Sequence, residues 1–183
     1  MTDFLFGGRP EAVIQAGHVV EDIDLAMATY AAQLGVGPWY RFRTSQPRPG
    51  ALYRGKEVNL DLSIALAFRG TLMLELIQQH DDQPSVFRDG VARRGFGMHH
   101  WGIGTRRFDE RVAEEQARGR EALYTAQTAR GARIAYFDGP APLHAMKELI
   151  EITEANETFY AGIARQARDW DGRTILWPGP EAA

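Results

Sequence analysis

The order of apolar runs and breaks along this chain occurs twice, at a spacing of roughly 80 residues, and such an internal repeat restricts architecture more firmly than local propensity. Val13 to Val20 reads as a mostly buried strand. Asp22 then N-caps a helix reaching Leu34, with Ile23, Met27, Tyr30 and Leu34 at helical spacing and Gly35 and Gly37 closing it. Pro38 to Arg43 is an aromatic-rich strand and Thr44 to Gly50 a polar loop, after which Asn59 to Phe68 and Thr71 to Gln78 form strands joined at Arg69-Gly70. A stretch from His80 to Gly97, rich in charge and glycine, includes one helical turn around Pro84 to Arg88. The order then returns: strand Met98 to Gly104, helix Phe108 to Arg118, and strands Glu121 to Gln127, Arg133 to Phe137 and Lys147 to Thr153. The repeat predicts a first module over 12–79, a linker over 80–97 and a second module over 98–154, each with one strand, one helix and three strands, in one compact domain. Residues 155–183 add an amphipathic helix, Asn156 to Trp170, and a tail.

Composition excludes several classes of function. The 183 residues are 44% hydrophobic, enough for the core of a single domain. A net charge of -3 with scattered basic residues lacks the footprint of a nucleic-acid binder. Cysteine is absent, so any transition metal must be held by nitrogen and oxygen ligands. No secretory n-region precedes an apolar run, and no apolar stretch of about 18 residues occurs, so the reading is a cytoplasmic protein with no membrane partner.

Ionisable residues inside apolar strands carry the chemistry. Leu72, Leu74 and Leu76 share one face of their strand and leave Glu75 on the other; Ile150 and Ile152 likewise oppose Glu151. If the greasier faces pack on helices, Glu75 and Glu151 project from the opposite surface. His100 shares its face with Met98, Gly102 and Gly104, which leave it room, whereas His99 goes with Trp101 and Ile103 and reads as structural. His18 is grouped with Ala16 and Val20, and parity alone leaves its direction open. Desolvating carboxylates costs several kcal/mol each unless they are paired or bound to a cation. Matching the modules about a pseudo-twofold axis pairs His18 with His100 and Glu75 with Glu151, an N2O2 set suited to one divalent ion such as Zn, Ni, Co, Mn or Fe. Glu148, on the face of Ile150, is set aside, and His80 is a linker residue. Trp39, Tyr40, Trp101 and Tyr136 would wall a partly aromatic pocket, with His144 in the loop from Gly139 covering it.

Gly17-His18-Val19-Val20, Gly35-Val36-Gly37-Pro38-Trp39, Leu74-Glu75-Leu76-Ile77, Gly97-Met98-His99-His100 and Glu148-Leu149-Ile150-Glu151, in that order, resemble the vicinal oxygen chelate superfamily. That superfamily includes glyoxalase I, methylmalonyl-CoA epimerase, extradiol dioxygenases and bleomycin-resistance proteins, and the resemblance is closest to its epimerase-like and glyoxalase-like branch. It implies an α+β fold in which two paired βαβββ modules form a curved, cup-shaped mixed sheet around one divalent metal. Carried over position by position, it implies His18, Glu75, His100 and Glu151 as ligands and a homodimer as the common assembly. The leading expectation is a metal-dependent isomerase, epimerase or lyase that abstracts a proton next to a carbonyl of a small, largely apolar substrate, with Glu151 or Glu75 as base. Alternatives are a non-catalytic binding or sequestration protein of the bleomycin-resistance type and an Fe(II)-dependent dioxygenase.

Overall fold

The computed structural model describes residues 2–139, 142 and 144–179. Its elements in chain order are β1 (Val13–Val19), α1 (Ile23–Leu34), β2 (Tyr40–Thr44), β3 (Leu52–Tyr53), β4 (Lys56–Glu57), β5 (Leu62–Arg69), β6 (Leu72–Gln79), α2 (Val86–Arg94), β7 (Gly97–Thr105), α3 (Phe108–Ala117), β8 (Tyr124–Gln127), β9 (Arg133–Phe137), β10 (Met146–Glu151) and α4 (Glu154–Arg168). All strands join one mixed sheet in the order β2-β5-β6-β1-β7-β10-β9-β8-β3-β4. At its centre β1 and β7 run antiparallel, and each is flanked by the last strand of its own half in parallel, β6 beside β1 and β10 beside β7. This is the α+β cup with paired halves.

Chain connectivity forces the curvature. In the sheet order β2 and β3 stand eight positions apart, roughly 38 Å if the strands lay flat. The stretch from Thr44 to Leu52 reaches at most about 28 Å, so the sheet must curl until β3, with its hairpin partner β4, reaches β8 on the far side. That hairpin has no apolar alternation and is not foreseen from sequence.

Strand parity separates two surfaces. On the convex side, Ile23 and Met27 of α1 pack on Ala65, Ala67, Leu74 and Leu76, and Phe108 of α3 packs on Ala135, Phe137 and Leu149. The first of these helices is fixed at both ends: Asp22 Oδ1 accepts from the backbone N–H groups of Asp24 and Leu25 at 2.9 Å, and Gly35 takes the left-handed conformation at φ 60°. On the concave side Ile64, Leu66, Phe68, Met73, Ile77 and Ile150 form a second core with Phe159, Tyr160 and Ile163 of α4. The C-terminal helix therefore fills part of the cup, each of these fully buried side chains contributing about 1.5–3 kcal/mol. Beyond it, the Trp39 amide donates to the Ile175 carbonyl at 2.7 Å and the Trp177 amide to the Trp39 carbonyl at 2.9 Å, tying the tail beside β2. Helix α2, capped by Ser85, is longer than the single turn read from the sequence.

Candidate functional site

The chemistry gathers where the four central strands meet. In β1 Gln15 and Gly17 face the cup, and in β7 His100 and Gly102 do so; the antiparallel register sets Gly17 opposite His100 and Gln15 opposite Gly102. Each glycine clears space for the larger residue across from it. A Cβ on Gly17 would fall within 3.0 Å of the His100 ring, and one on Gly102 would lie 2.5 Å from Gln15 Oε1 and 2.8 Å from Ile150 Cδ1. Glu75 stands beside Gly17 and Glu148 beside Gly102 in the flanking parallel strands. Gln15-Ala16-Gly17 and His100-Trp101-Gly102 are thus equivalent under the pseudo-twofold, and so are the two glutamates.

His100 is wholly buried, and its Nε2 lies 3.1 Å from Glu148 Oε2, 3.2 Å from Glu75 Oε2 and 3.3 Å from Gln15 Oε1. One ring N–H can satisfy only one of these oxygens well. The Oε2 atoms of Glu75 and Glu148 are buried without a hydrogen-bond partner, and a ligand atom from each of Glu75, His100 and Glu148 lies within 4.8 Å of the others. Three oxygens crowded on one nitrogen, two of them buried carboxylate oxygens in need of a counter-charge, suit a hard or borderline divalent ion.

The other face of the ring sets its tautomer. His99 Nε2 donates to the Val86 carbonyl at 3.0 Å, and burial, reinforced by the charge of His100, lowers the His99 pKa to about 3. His99 is therefore neutral, its Nδ1 is an acceptor, and His100 Nδ1 donates to it at 3.0 Å. That leaves His100 Nε2 for the cup, the orientation that a second histidine would impose on a metal ligand. Without a metal, burial opposes charging His100, but Glu148 and Glu75 outweigh it and raise the pKa to about 9. Burial raises the Glu148 pKa, with His100 acting in the opposite sense. Tyr136 lies 5.0 Å from His100, ring to ring, and its pKa is raised well above the usual phenol value by burial and by the charges of Glu148 and Glu75.

Above this cluster is a cavity of about 640 Å³, walled by Tyr40, Phe42, Phe87, Tyr136 and Tyr160 among others. The structure places the sequence-derived candidates unevenly around it. Glu75 lines it and meets His100, which lies wholly buried beneath. His18 does not: it lies with Ala16 on the convex side, its ring 5.7 Å from Tyr30 of α1. It stands three residues after Gln15, out of phase with the position equivalent to His100. Glu151 is also on the convex side, held by Arg133 through bonds of 2.7 and 3.0 Å, an ion pair that lowers its pKa. The inversion in β10 has a physical cause. Ile150 and Ile152 face the concave core because α4 and the N-terminal Phe4 and Phe6 make that surface apolar, so the greasier face of the strand is not the one facing its outer helix. Glu148, on that inner face, takes the place assigned to Glu151. Tyr40 and Tyr136 line the cavity, whereas Trp39 is buried on the convex side, Trp101 is 39% exposed and His144 is exposed with φ 53°. Pro140, Ala141 and Leu143, which share the His144 loop, lie outside the described residues.

The signal that could have identified Gln15 is the match of Gln-Ala-Gly to His-Trp-Gly, with glycine as the phase marker. A histidine-to-histidine match passes over it because the first half carries an amide where the second carries an imidazole.

Comparison with known proteins agrees with this fold. A search of curated proteins found no match to the sequence. Among solved structures, hypothetical protein BH1468 from Bacillus halodurans C-125 is similar at 22% identity and a TM-score of 0.58, covering 78% of this chain and 95% of its own. Methylmalonyl-CoA epimerase from Mycobacterium tuberculosis is similar at 16% identity and a TM-score of 0.55, covering 80% and 91%. A Streptomyces coelicolor methylmalonyl-CoA epimerase in complex with 2-nitronate-propionyl-CoA shows 20% identity and a TM-score of 0.54, covering 79% and 96%. These likenesses establish a shared fold. The model of one family matches residues 14–136, more than half of the sequence, and on that match the chain belongs to the glyoxalase/bleomycin resistance protein/dioxygenase superfamily.

Proposed function

We propose that this protein is a divalent-metal-dependent isomerase or epimerase of the cytoplasm, which moves a proton on the carbon next to a carbonyl of a small, largely apolar substrate. The observation that carries the reading is the crowding of Glu75, Glu148 and Gln15 oxygens around His100 Nε2 with two carboxylate oxygens unpartnered. Family membership and the fold shared with methylmalonyl-CoA epimerases support it. Glu75, His100 and Glu148 would hold the ion, with Gln15 completing the set through its amide oxygen. When bound, the ion supplies Lewis-acid polarisation of the substrate carbonyl.

The remaining work falls to the chain. The aromatic wall excludes water and orients the substrate body over the cluster. Glu75 is the more open of the two carboxylates, its side chain 12% exposed against 4% for Glu148, and one of its carboxylate oxygens takes the proton from carbon. Glu75 and Glu148 stand on β6 and β10, with β1 and β7 between them. Inversion needs Glu148 to enter protonated: Glu75 takes a proton from one face of the carbon while Glu148 gives its own to the opposite face, leaving Glu75 protonated and Glu148 ionised, whereas return of the same proton by Glu75 to a neighbouring atom isomerises the substrate.

The ferrous dioxygenase alternative rests on two histidines and one carboxylate, a set the fold does not assemble because His18 lies on the other side of the sheet. The sequestration alternative differs in needing no metal. Deuterium exchange into a panel of acyl thioesters and 2-keto acids in D2O, followed by mass spectrometry, separates the readings. Metal-loaded protein should exchange the α-hydrogen of at least one class and Glu75→Gln should not; exchange that is absent throughout, or unchanged after metal removal, contradicts the proposal. Lyase chemistry would appear in the same panel as bond cleavage. The homodimer belongs to this proposal too, supported by exposed Phe96 and Trp101 beside the central strands, and light scattering measures it.

A further inference from the structure

The cavity is electrically polarised. Its floor carries Glu75 and Glu148, while three arginines line it elsewhere: Arg43, Arg48 and Arg130. Arg43 is already engaged, its Nε and Nη2 donating to both oxygens of Asp61 at 2.7 and 2.6 Å. Arg48 and Arg130 have no carboxylate partner among the described residues, and among arginines in that condition they alone are half-buried, the others pointing into water. Partly desolvated guanidinium groups without an acid are uncommon unless an anion comes to them.

Their mounting favours binding. Arg48 sits in the loop between β2 and β3 and Arg130 in the turn after β8, and the two segments are strapped together by the Gln127 amide donating to the Pro49 carbonyl and Thr125 Oγ1 donating to the Gly50 carbonyl, both at 3.0 Å. The Arg130 guanidinium lies 3.5 Å above the Phe159 ring, so stacking fixes its plane while its N–H edges stay available. One turn earlier on α4, Asn156 also lines the cavity; it is 2% exposed, and its Nδ2 is a buried donor without an acceptor.

We infer that Arg48, Arg130 and Asn156 form an anion subsite that holds a carboxylate or phosphate at the end of the substrate remote from its reacting carbonyl. The substrate class is then a carbonyl compound with an anionic group joined to the reacting end through an apolar body. The inference rests on the proposed function for what happens at the carbonyl end. Repulsion from Glu75 and Glu148 and attraction to the rim act together, so charge also decides which end of the substrate enters first.

The test is isothermal titration calorimetry on the full-length protein, as purified and again after chelator treatment, with three probes of one shape: 4-phenylbutanoate, 3-phenylpropyl phosphate and uncharged 4-phenylbutanamide. At least one anion should bind about tenfold or more tightly than the amide, as expected for hydrogen bonds to a charged group. Arg48→Gln and Arg130→Gln should each remove most of that advantage, weakening the anion far more than the amide; whichever anion binds better names the source of the charge. Equal binding of anions and amide by the wild type, or an advantage that survives both substitutions, overturns the inference. Because the advantage is read without metal, it stands or falls separately from the metal-dependent reaction.

Discussion

Gly17→Ala probes the packing on which the cluster depends. The position lies opposite His100 in the central antiparallel pair, and a Cβ there would fall within 3.0 Å of Cε1, Nε2 and Nδ1 of the ring. The ring has little room to yield, with His99 Nδ1 at 3.0 Å behind it and Tyr136 5.0 Å away, ring to ring. Overpacking of this kind costs about 1–3 kcal/mol. Pushing His100 away from two buried carboxylates adds a share of the roughly 3–5 kcal/mol associated with breaking a buried ion pair. Reduced freedom of the unfolded chain returns only about 0.4–1 kcal/mol. The net expectation is a loss of about 3 kcal/mol, which for a chain of this length lowers Tm by about 6–12 °C. Urea unfolding followed by circular dichroism measures it, with Gly35→Ala as the comparison: a Cβ there meets nothing within 4 Å, and its φ of 60° costs about 1–2 kcal/mol. A Gly17→Ala protein within about 0.5 kcal/mol of wild type, still binding metal, would refute the packing argument.

Other outcomes follow from the same structure. In metal-free protein His100 titrates at about 9 against a reference of 6.5, so its stabilisation is complete below pH 6.5 and lost as pH rises toward 9. The raised pKa of Glu148 acts in the same direction. Urea midpoints in chelator should therefore fall between pH 6.5 and 9 and flatten when metal is added; midpoints constant over that window would contradict the burial of charge described here. His99→Phe should leave the chain folded yet weaken metal affinity by about 10–100-fold, because the orienting acceptor for His100 Nδ1 is gone; unchanged affinity by metal titration would remove His99 from that role. Glu115, wholly buried, accepts from Lys147 at 2.7 Å, Arg118 at 3.0 Å and Arg120 at 2.7 Å. Glu115→Gln should cost roughly 3 kcal/mol in urea unfolding with metal binding intact, and a loss of metal would show that the convex network reaches the cup.

The architecture was legible because period-two alternation and helix caps do not depend on distant partners. Parity places Glu75 opposite Leu74 and Leu76, which do pack under α1, whereas the room expected around His100 from Gly102 comes instead from Gly17 across the strand pair, Gly102 making way for Gln15. What sequence parity lacks is knowledge of what covers each surface. Parity alone makes the more apolar face of β10 the outer one, whereas α4, Phe4 and Phe6 make the inner surface equally apolar, and this single inversion puts Glu148 where Glu151 is expected. In β1 a histidine, the stronger ligand type, stands three residues past the cup-facing position, which an amide occupies. The β3–β4 hairpin was illegible for another reason, since it is held by pairing with β8 and not by a hydrophobic pattern of its own.

Metal titration of Glu148→Gln against Glu151→Gln addresses the location of the centre most directly. Calorimetry with Zn or Ni on the wild type should give one site per chain; Glu148→Gln should lower its affinity at least tenfold, in keeping with the loss of one charged ligand. Glu151→Gln, whose carboxylate is occupied by Arg133 outside the cup, should bind as the wild type does. The reverse pattern, with metal lost at Glu151→Gln and kept at Glu148→Gln, would contradict the centre built from Gln15, Glu75, His100 and Glu148.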